Sequence, residues 1–143
     1  MRSMDKYETL KLKNQICFPL YAAGKEITRK YQPLLKELDL TYTQYITMMV
    51  LWEEKEITVK ELGKRLFLDS GTLTPLLRKL EAKKYISRNK DEKDDRNLII
   101  KVEPEGMSLR DKALNIPLQI SGCVNLSKEE AETLYKLLYK VLG

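Results

Sequence analysis

Hydrophobic residues recur along this chain with a helical period almost throughout, and the period changes only near residue 85. Over residues 8–31, Leu10, Asn14, Cys17, Tyr21, Gly24, Thr28 and Tyr31 return every three or four positions. That spacing predicts one long helix with Cys17 and Tyr21 on the same face. A second stripe runs beside it through Leu12, Ile16, Leu20, Ala23 and Ile27. Pro19 falls inside this pattern, and a proline there either kinks the helix or restarts it. Pro33 predicts the opening of a further short helix, "PLLKELD".

Start signals follow in regular order. Thr41 with Gln44, Thr58 with Glu61 and Ser127 with Glu130 match the capping box, in which a hydroxyl and the residue three later satisfy free backbone N–H groups. They predict helices at 42–54, 59–67 and from 128 to the end, the last with Leu134, Leu137, Leu138 and Val141 on one face. Asp69 or Ser70 caps a helix running to Lys84, whose Leu73, Leu76, Leu77 and Leu80 form a core stripe. "YISRN" and "NLIIKVE" then read as two strands joined by the charged tip "KDEKDDR". "PEG" ends the hairpin, a helix continues to Asn115, and Pro117 breaks the pattern. Trp52, Met48 and Met49 read most simply as core, with the lining of a ligand pocket as the alternative. A helix-turn-helix followed by a hairpin is a winged-helix plan, giving a mainly α fold with a small β wing. In that plan the second helix enters the DNA major groove and the hairpin reaches the adjacent backbone.

Charge sharpens this reading. The net charge is +5, yet residues 60–90 hold nine Lys/Arg against three acids, so the excess positive charge lies wholly in the helix-turn-helix and first strand. That distribution is the footprint of a polyanion partner, although a solvated lysine-rich surface gives the same count. The absence of histidine excludes Ser-His-Asp and Cys-His catalytic sites. With only two cysteines it also argues against a Cys/His zinc site, so no metal and no cofactor are expected. No window is apolar enough for a membrane span and the N-terminus is too polar for a signal peptide, so a cytoplasmic single domain is expected. From spacing alone, Cys17 reads most simply as a buried cysteine filling the core.

The segment "LDSGTLTPLLRKLEAKKYISRNKDEKDDRNLIIKVEPEG" resembles the MarR family of winged-helix transcription regulators, including an acidic wing tip that ends in arginine at Asp94-Asp95-Arg96. "NQICFPLYAAGKEITRKYQPLLKELDLTYTQYITMMVLWE" resembles the organic-hydroperoxide-sensing branch of that family. The resemblance spans essentially the whole chain. It implies a homodimer with dimerisation helices at 8–40 and 107–143 around a DNA-binding region at 41–106. It further implies a pseudo-palindromic double-stranded operator, repression in the reduced state, and an organic hydroperoxide as effector.

By the same resemblance Cys17 is the peroxidatic thiol, with the hydroxyls of Tyr21, Tyr31 and Tyr42 donating to its thiolate, the latter two from the partner subunit. Cys123 stands either as the resolving cysteine or as an incidental loop residue. Ser70, Thr72, Thr74, Pro75 and Arg78 of the recognition helix, with Arg88 and Arg96 of the wing, are the implied DNA contacts, Asp94 orienting the wing arginine. Hydroxyl and guanidinium groups suit phosphate and base-edge contacts. Three other readings remain: a regulator released by a phenolic or drug-like ligand, a thiol peroxidase, and a protein-interaction module. The basic helix-turn-helix and wing argue against the last two.

Overall fold

The computed structural model describes residues 5–143 and contains seven α-helices and one small sheet among them. The described residues open with two single 3₁₀ turns, Glu8–Leu10 and Leu12–Asn14, and helix α1 then spans Cys17–Leu35. The long helix expected from residue 8 therefore starts nine residues later. Its N-terminal part is undone by side chains that capture backbone carbonyls. Asn14 Nδ2 donates to the Glu8 carbonyl at 2.8 Å, and Gln15 Nε2 donates to those of Thr9 and Lys11 at 2.6 and 3.0 Å. Such bonds offer the backbone an alternative to the helical ladder. Pro19 consequently lies in the first turn of α1, where its missing N–H costs no hydrogen bond. Of the two expected effects the structure matches the restart: the helix begins at Cys17, with Pro19 in its first turn. Pro33, in turn, opens no new helix: it sits inside α1, which passes into a 3₁₀ turn at Lys36–Leu38 and stops at Asp39, in the left-handed region.

Helix α2 (Tyr42–Glu54) carries the full Thr41–Gln44 capping box. Strand β1 (Glu56–Thr58) comes next, and its three residues gave no strand signal by themselves. Helix α3 (Val59–Leu66) starts from Thr58, whose hydroxyl accepts from the Glu61 N–H; only that half of the expected box forms. Helix α4 (Ser70–Ala82) is capped by Asp69, which accepts from the Thr72 N–H at 2.8 Å, so Ser70 is its first residue rather than its cap. Strands β2 (Ile86–Lys90) and β3 (Leu98–Val102) form the expected hairpin, and β1 adds to its other side in the order β1-β3-β2, all antiparallel. Ile57 and Arg88 both stand opposite Ile100, which is fully buried. Helices α5 (Pro104–Ala113), α6 (Ile116–Ser121) and α7 (Lys128–Leu142) complete the chain. Pro117 lies in the first turn of α6, so it starts that helix instead of breaking one.

The core forms around α2, α3, α4 and the sheet: Met48, Leu51, Leu62, Leu73, Leu77, Leu80 and Ile100 are all essentially inaccessible. Met48 is core as expected, but Met49 is 43% exposed. The helices at the two ends behave differently. Leu35 is the only buried residue of α1, and α7 buries none. Among the described residues no helix is long and apolar enough to cross a membrane.

One junction fixes α2 against the base of the hairpin and the start of α5. Trp52 Nε1 donates to the Gly106 carbonyl at 2.9 Å, and a Cβ at Gly106 would lie 2.2 Å from the Tyr85 carbonyl oxygen. Backbone is the nearest obstacle, with the Met48 methyl 3.0 Å away beside it. Gly106→Ala is expected to destabilise the fold by about 3 kcal/mol, as overpacking against rigid neighbours does; urea unfolding with an unchanged midpoint would contradict this.

Candidate nucleic-acid interface and thiol site

On α4, the leucines that face the core leave Thr72, Pro75, Arg78 and Lys79 exposed on the opposite side, and Thr74 partly so. All of these but Lys79 were expected to read DNA, together with exposed Ser70 at the first position of the helix. A groove of about 960 Å³ runs between α3, the start of α4 and the wing. It brings Ser70, Thr74 and Arg96 together with Lys60, Lys64, Phe67 and Asn97. None of the last four was singled out from sequence. Lys60 and Lys64 had counted only toward the basic segment, because periodicity does not say which cation on α3 faces the wing.

Arg96 is almost fully exposed, and Asp94 holds it in a two-pronged bond: Nε to Oδ1 at 3.1 Å and Nη2 to Oδ2 at 3.2 Å. The arginine keeps the Asp94 carboxyl below its usual range. Asp94 thus holds the wing arginine from two sides of its carboxylate. Arg88 is placed differently. Its Nη2 donates to Glu81 Oε1 at 3.0 Å, its Nε is buried without a partner, and it does not line the groove. The pair ties β2 to the C-terminal end of α4, lowering the Glu81 carboxyl and raising the guanidinium.

Cys17 is exposed at the first position of α1, beside the exposed apolar side chains Ile16, Phe18 and Leu20. Tyr21 stands one turn along the same face and is also exposed. The other two phenols are elsewhere. Tyr31 lies fourteen residues further along α1, about 21 Å down its axis, where its ring packs on Tyr42 with centroids 4.9 Å apart. Tyr45 completes this cluster, 5.8 Å from Tyr31 and 6.4 Å from Tyr42, and its edge meets Trp52. Burial raises all three phenols above their usual range. Cys123, exposed in the loop after α6, is near this same end: Lys30, next to Tyr31, donates from Nζ to its carbonyl at 3.1 Å. Within one chain, therefore, Tyr21 is beside Cys17, while Tyr31, Tyr42 and Cys123 gather at the far end of the helix.

A family model described as transcriptional regulator SarA/Rot matches residues 29–113. The organic hydroperoxide resistance transcriptional regulator of Bacillus subtilis is 43% identical over 138 residues, 96% of this chain and 94% of that protein. The chain belongs to the SarA/Rot family of transcriptional regulators. Its fold is the MarR-type winged helix. The regulator SarZ of Staphylococcus aureus is 46% identical over 120 residues, covering 84% of this chain and 81% of SarZ. AbfR of Staphylococcus epidermidis, in its reduced, DNA-bound structure, superposes with a TM-score of 0.77 at 32% identity over 94% and 95% of the two chains. A disulfide-formed structure of AbfR matches with a TM-score of 0.67. These relatives are regulators rather than enzymes.

The Glu81–Arg88 pair yields a test with a definite sign. Because the folded-state carboxyl is lowered, its contribution is complete above the ordinary glutamate value of 4.5 and is lost as pH falls through the lowered value. Glu81→Gln should cost roughly 1 kcal/mol or less at pH 7, since the pair is partly solvated. The gap to wild type, followed by thermal unfolding, should close on acidification below that range.

Proposed function

We propose that this chain is a cytoplasmic, homodimeric repressor that binds a pseudo-palindromic operator in its reduced state and releases it when an organic hydroperoxide oxidises Cys17. The observation that carries the reading is the separation along α1. Cys17 is exposed at one end, and the phenols that suit a thiolate are about 21 Å away at the other. An antiparallel partner brings the two ends together. The exposed apolar faces support such a partner: Leu10, Ile16 and Ile27 near the start of the chain, and Leu134, Leu137 and Val141 on α7, have no core of their own. Residues 8–40 and 107–143 serve as the dimerisation elements, and residues 41–106 hold the winged helix-turn-helix.

In this mechanism the Cys17 thiolate attacks one peroxide oxygen. An S–O bond forms, the O–O bond breaks, and the departing alkoxide takes up a proton to leave as an alcohol, so sulfur is oxidised to sulfenic acid. Tyr21, with Tyr31 and Tyr42 of the partner subunit, donates O–H to the thiolate. Apolar neighbours Ile16, Phe18 and Leu20 suit an alkyl peroxide. The Cys123 thiol of the partner subunit then displaces the sulfenic oxygen as water, leaving a Cys17–Cys123 disulfide. An intrachain bond is out of reach, since Lys30 anchors Cys123 to the opposite end of α1. The disulfide-formed structure of AbfR is consistent with such chemistry in a relative. Covalent linkage shifts the dimer helices and with them the spacing of the two recognition helices, which must match half-sites one helical turn apart.

At the DNA, Ser70, Thr72, Thr74, Pro75 and Arg78 meet the major groove and Arg96 the flanking backbone. Arg88 fixes the wing to α4 through Glu81.

The deciding measurement is anisotropy of a labelled duplex from upstream of the protein's own coding region, with and without stoichiometric organic hydroperoxide. Wild type should release it and Cys17→Ser should stay bound. If the serine variant also responds, the inducer is a ligand, for which the apolar cleft of about 330 Å³ lined by Tyr45, Met49, Trp52 and Leu114 is the first place to look. Tyr42→Phe should slow Cys17 oxidation about tenfold, as loss of a hydrogen bond to a charged group does. On a non-reducing gel, the peroxide-induced covalent dimer should vanish in both Cys17→Ser and Cys123→Ser.

A further inference from the structure

Phe67 is the residue whose conformation and surroundings call for a function. It ends α3 with φ 55° and ψ 40°, in the left-handed region. Helices commonly end this way, but with glycine or asparagine, because a Cβ there crowds the backbone. The other non-glycine residues at positive φ among those described are Asp39, Lys55 and Lys84, all polar and at the surface. A phenylalanine held in that strained conformation and left 56% exposed serves neither turn geometry nor the core well.

Its position supplies a reason. Phe67 lines the groove between α3, α4 and the wing, with Leu98, also exposed, at the wing side. Lys60 and Lys64 of α3 and Arg96 of the wing border the same groove, and Ser70 and Thr74 of the recognition helix open onto it. Cations on both flanks with an apolar ring between them match one chemical object: a nucleic-acid strand, whose phosphates alternate with apolar sugar faces.

We propose that Phe67 is a DNA-contacting residue, its ring packing on a deoxyribose of the strand that crosses the groove between the α3 lysines and Arg96. This rests on the regulatory reading above and extends its contact surface beyond α4 and the wing. A sugar contact is blind to base sequence and carries no charge. It therefore strengthens binding to operator and unrelated DNA alike and leaves the salt dependence untouched, whereas each lysine–phosphate contact contributes about 0.9 to the slope of log affinity on log salt.

The test compares wild type, Phe67→Asn, Phe67→Gly, Phe67→Tyr and Lys64→Gln on two labelled duplexes, the upstream sequence and an unrelated one, over a range of salt. Asparagine and glycine both accept the left-handed conformation, so thermal unfolding should show midpoints no lower than a few degrees below wild type. Both should bind each duplex roughly tenfold more weakly, the scale of burying part of an aromatic ring, with an unchanged salt slope. Phe67→Tyr should keep wild-type affinity, and Lys64→Gln should flatten the slope. Asparagine and glycine variants that bind as tightly as wild type would overturn the proposal, as would a loss confined to the upstream duplex. Wild-type protein that binds neither duplex at low salt would overturn the regulatory reading itself, and the role of the ring with it.

Discussion

The hydrogen bond from Trp52 to the Gly106 carbonyl, made where Gly106 lies against the Tyr85 backbone, holds three parts of the molecule at one point. Trp52 belongs to α2, Tyr85 leads into the wing, and Gly106 is in the first turn of α5. Because the contact at Gly106 is backbone against backbone, it has no slack, and close-packed interiors pass such constraints on to their neighbours. The sheet and α4 take their positions from this junction, with Ile86 and Ile100 packed into the same core as Leu77 and Leu80. The Glu81–Arg88 pair then fixes the wing strand to the end of α4. Under the proposed function, this junction makes the DNA-facing surface a rigid plate.

The termini are organised by the opposite condition, a shortage of core. Helix α7 contributes nothing to the interior, and α1 touches it only at its C-terminal end. Such helices need a partner to bury their apolar faces, since lone amphipathic helices of this length are marginal in water. Under the proposed function, that dependence is what allows regulation. A rigid plate attached to an interface that is itself built from exposed faces changes its spacing when the interface changes, without unfolding.

Helix α1 acts as a spacer between the chemical groups. Cys17 at its start and the Tyr31–Tyr42–Tyr45 cluster near its end are rigidly separated, and Lys30 fixes Cys123 to the cluster end. Under the proposed function, a single chain thus holds half of a thiol site at each end of one helix.

Much of this was legible from residue order. The helix-turn-helix and hairpin came from the capping signals at Thr41, Thr58 and Asp69, the leucine stripe of α4 and the change of period at residue 85, because these are local interactions between residues a few positions apart. Of the candidate DNA-contact residues, Ser70, Thr72 and Arg78 are exposed on α4, and Asp94 bonds Arg96 on the wing. The late start of α1 was not legible, since Asn14 and Gln15 favour a helix by spacing yet spend their amides on the carbonyls of Glu8, Thr9 and Lys11. Nor were strand β1, which exists only because β3 pairs with it, the pairing of Arg88 with Glu81, or the groove that joins Lys60, Lys64 and Phe67 to Arg96. The sequence by itself determined the helix-turn-helix and hairpin, the core stripe and the residue types available for chemistry, because those rest on periodicity and near neighbours. Only the tertiary structure decided which charges face a common groove and which end of α1 each reactive group occupies, because those depend on contacts between residues far apart in the chain.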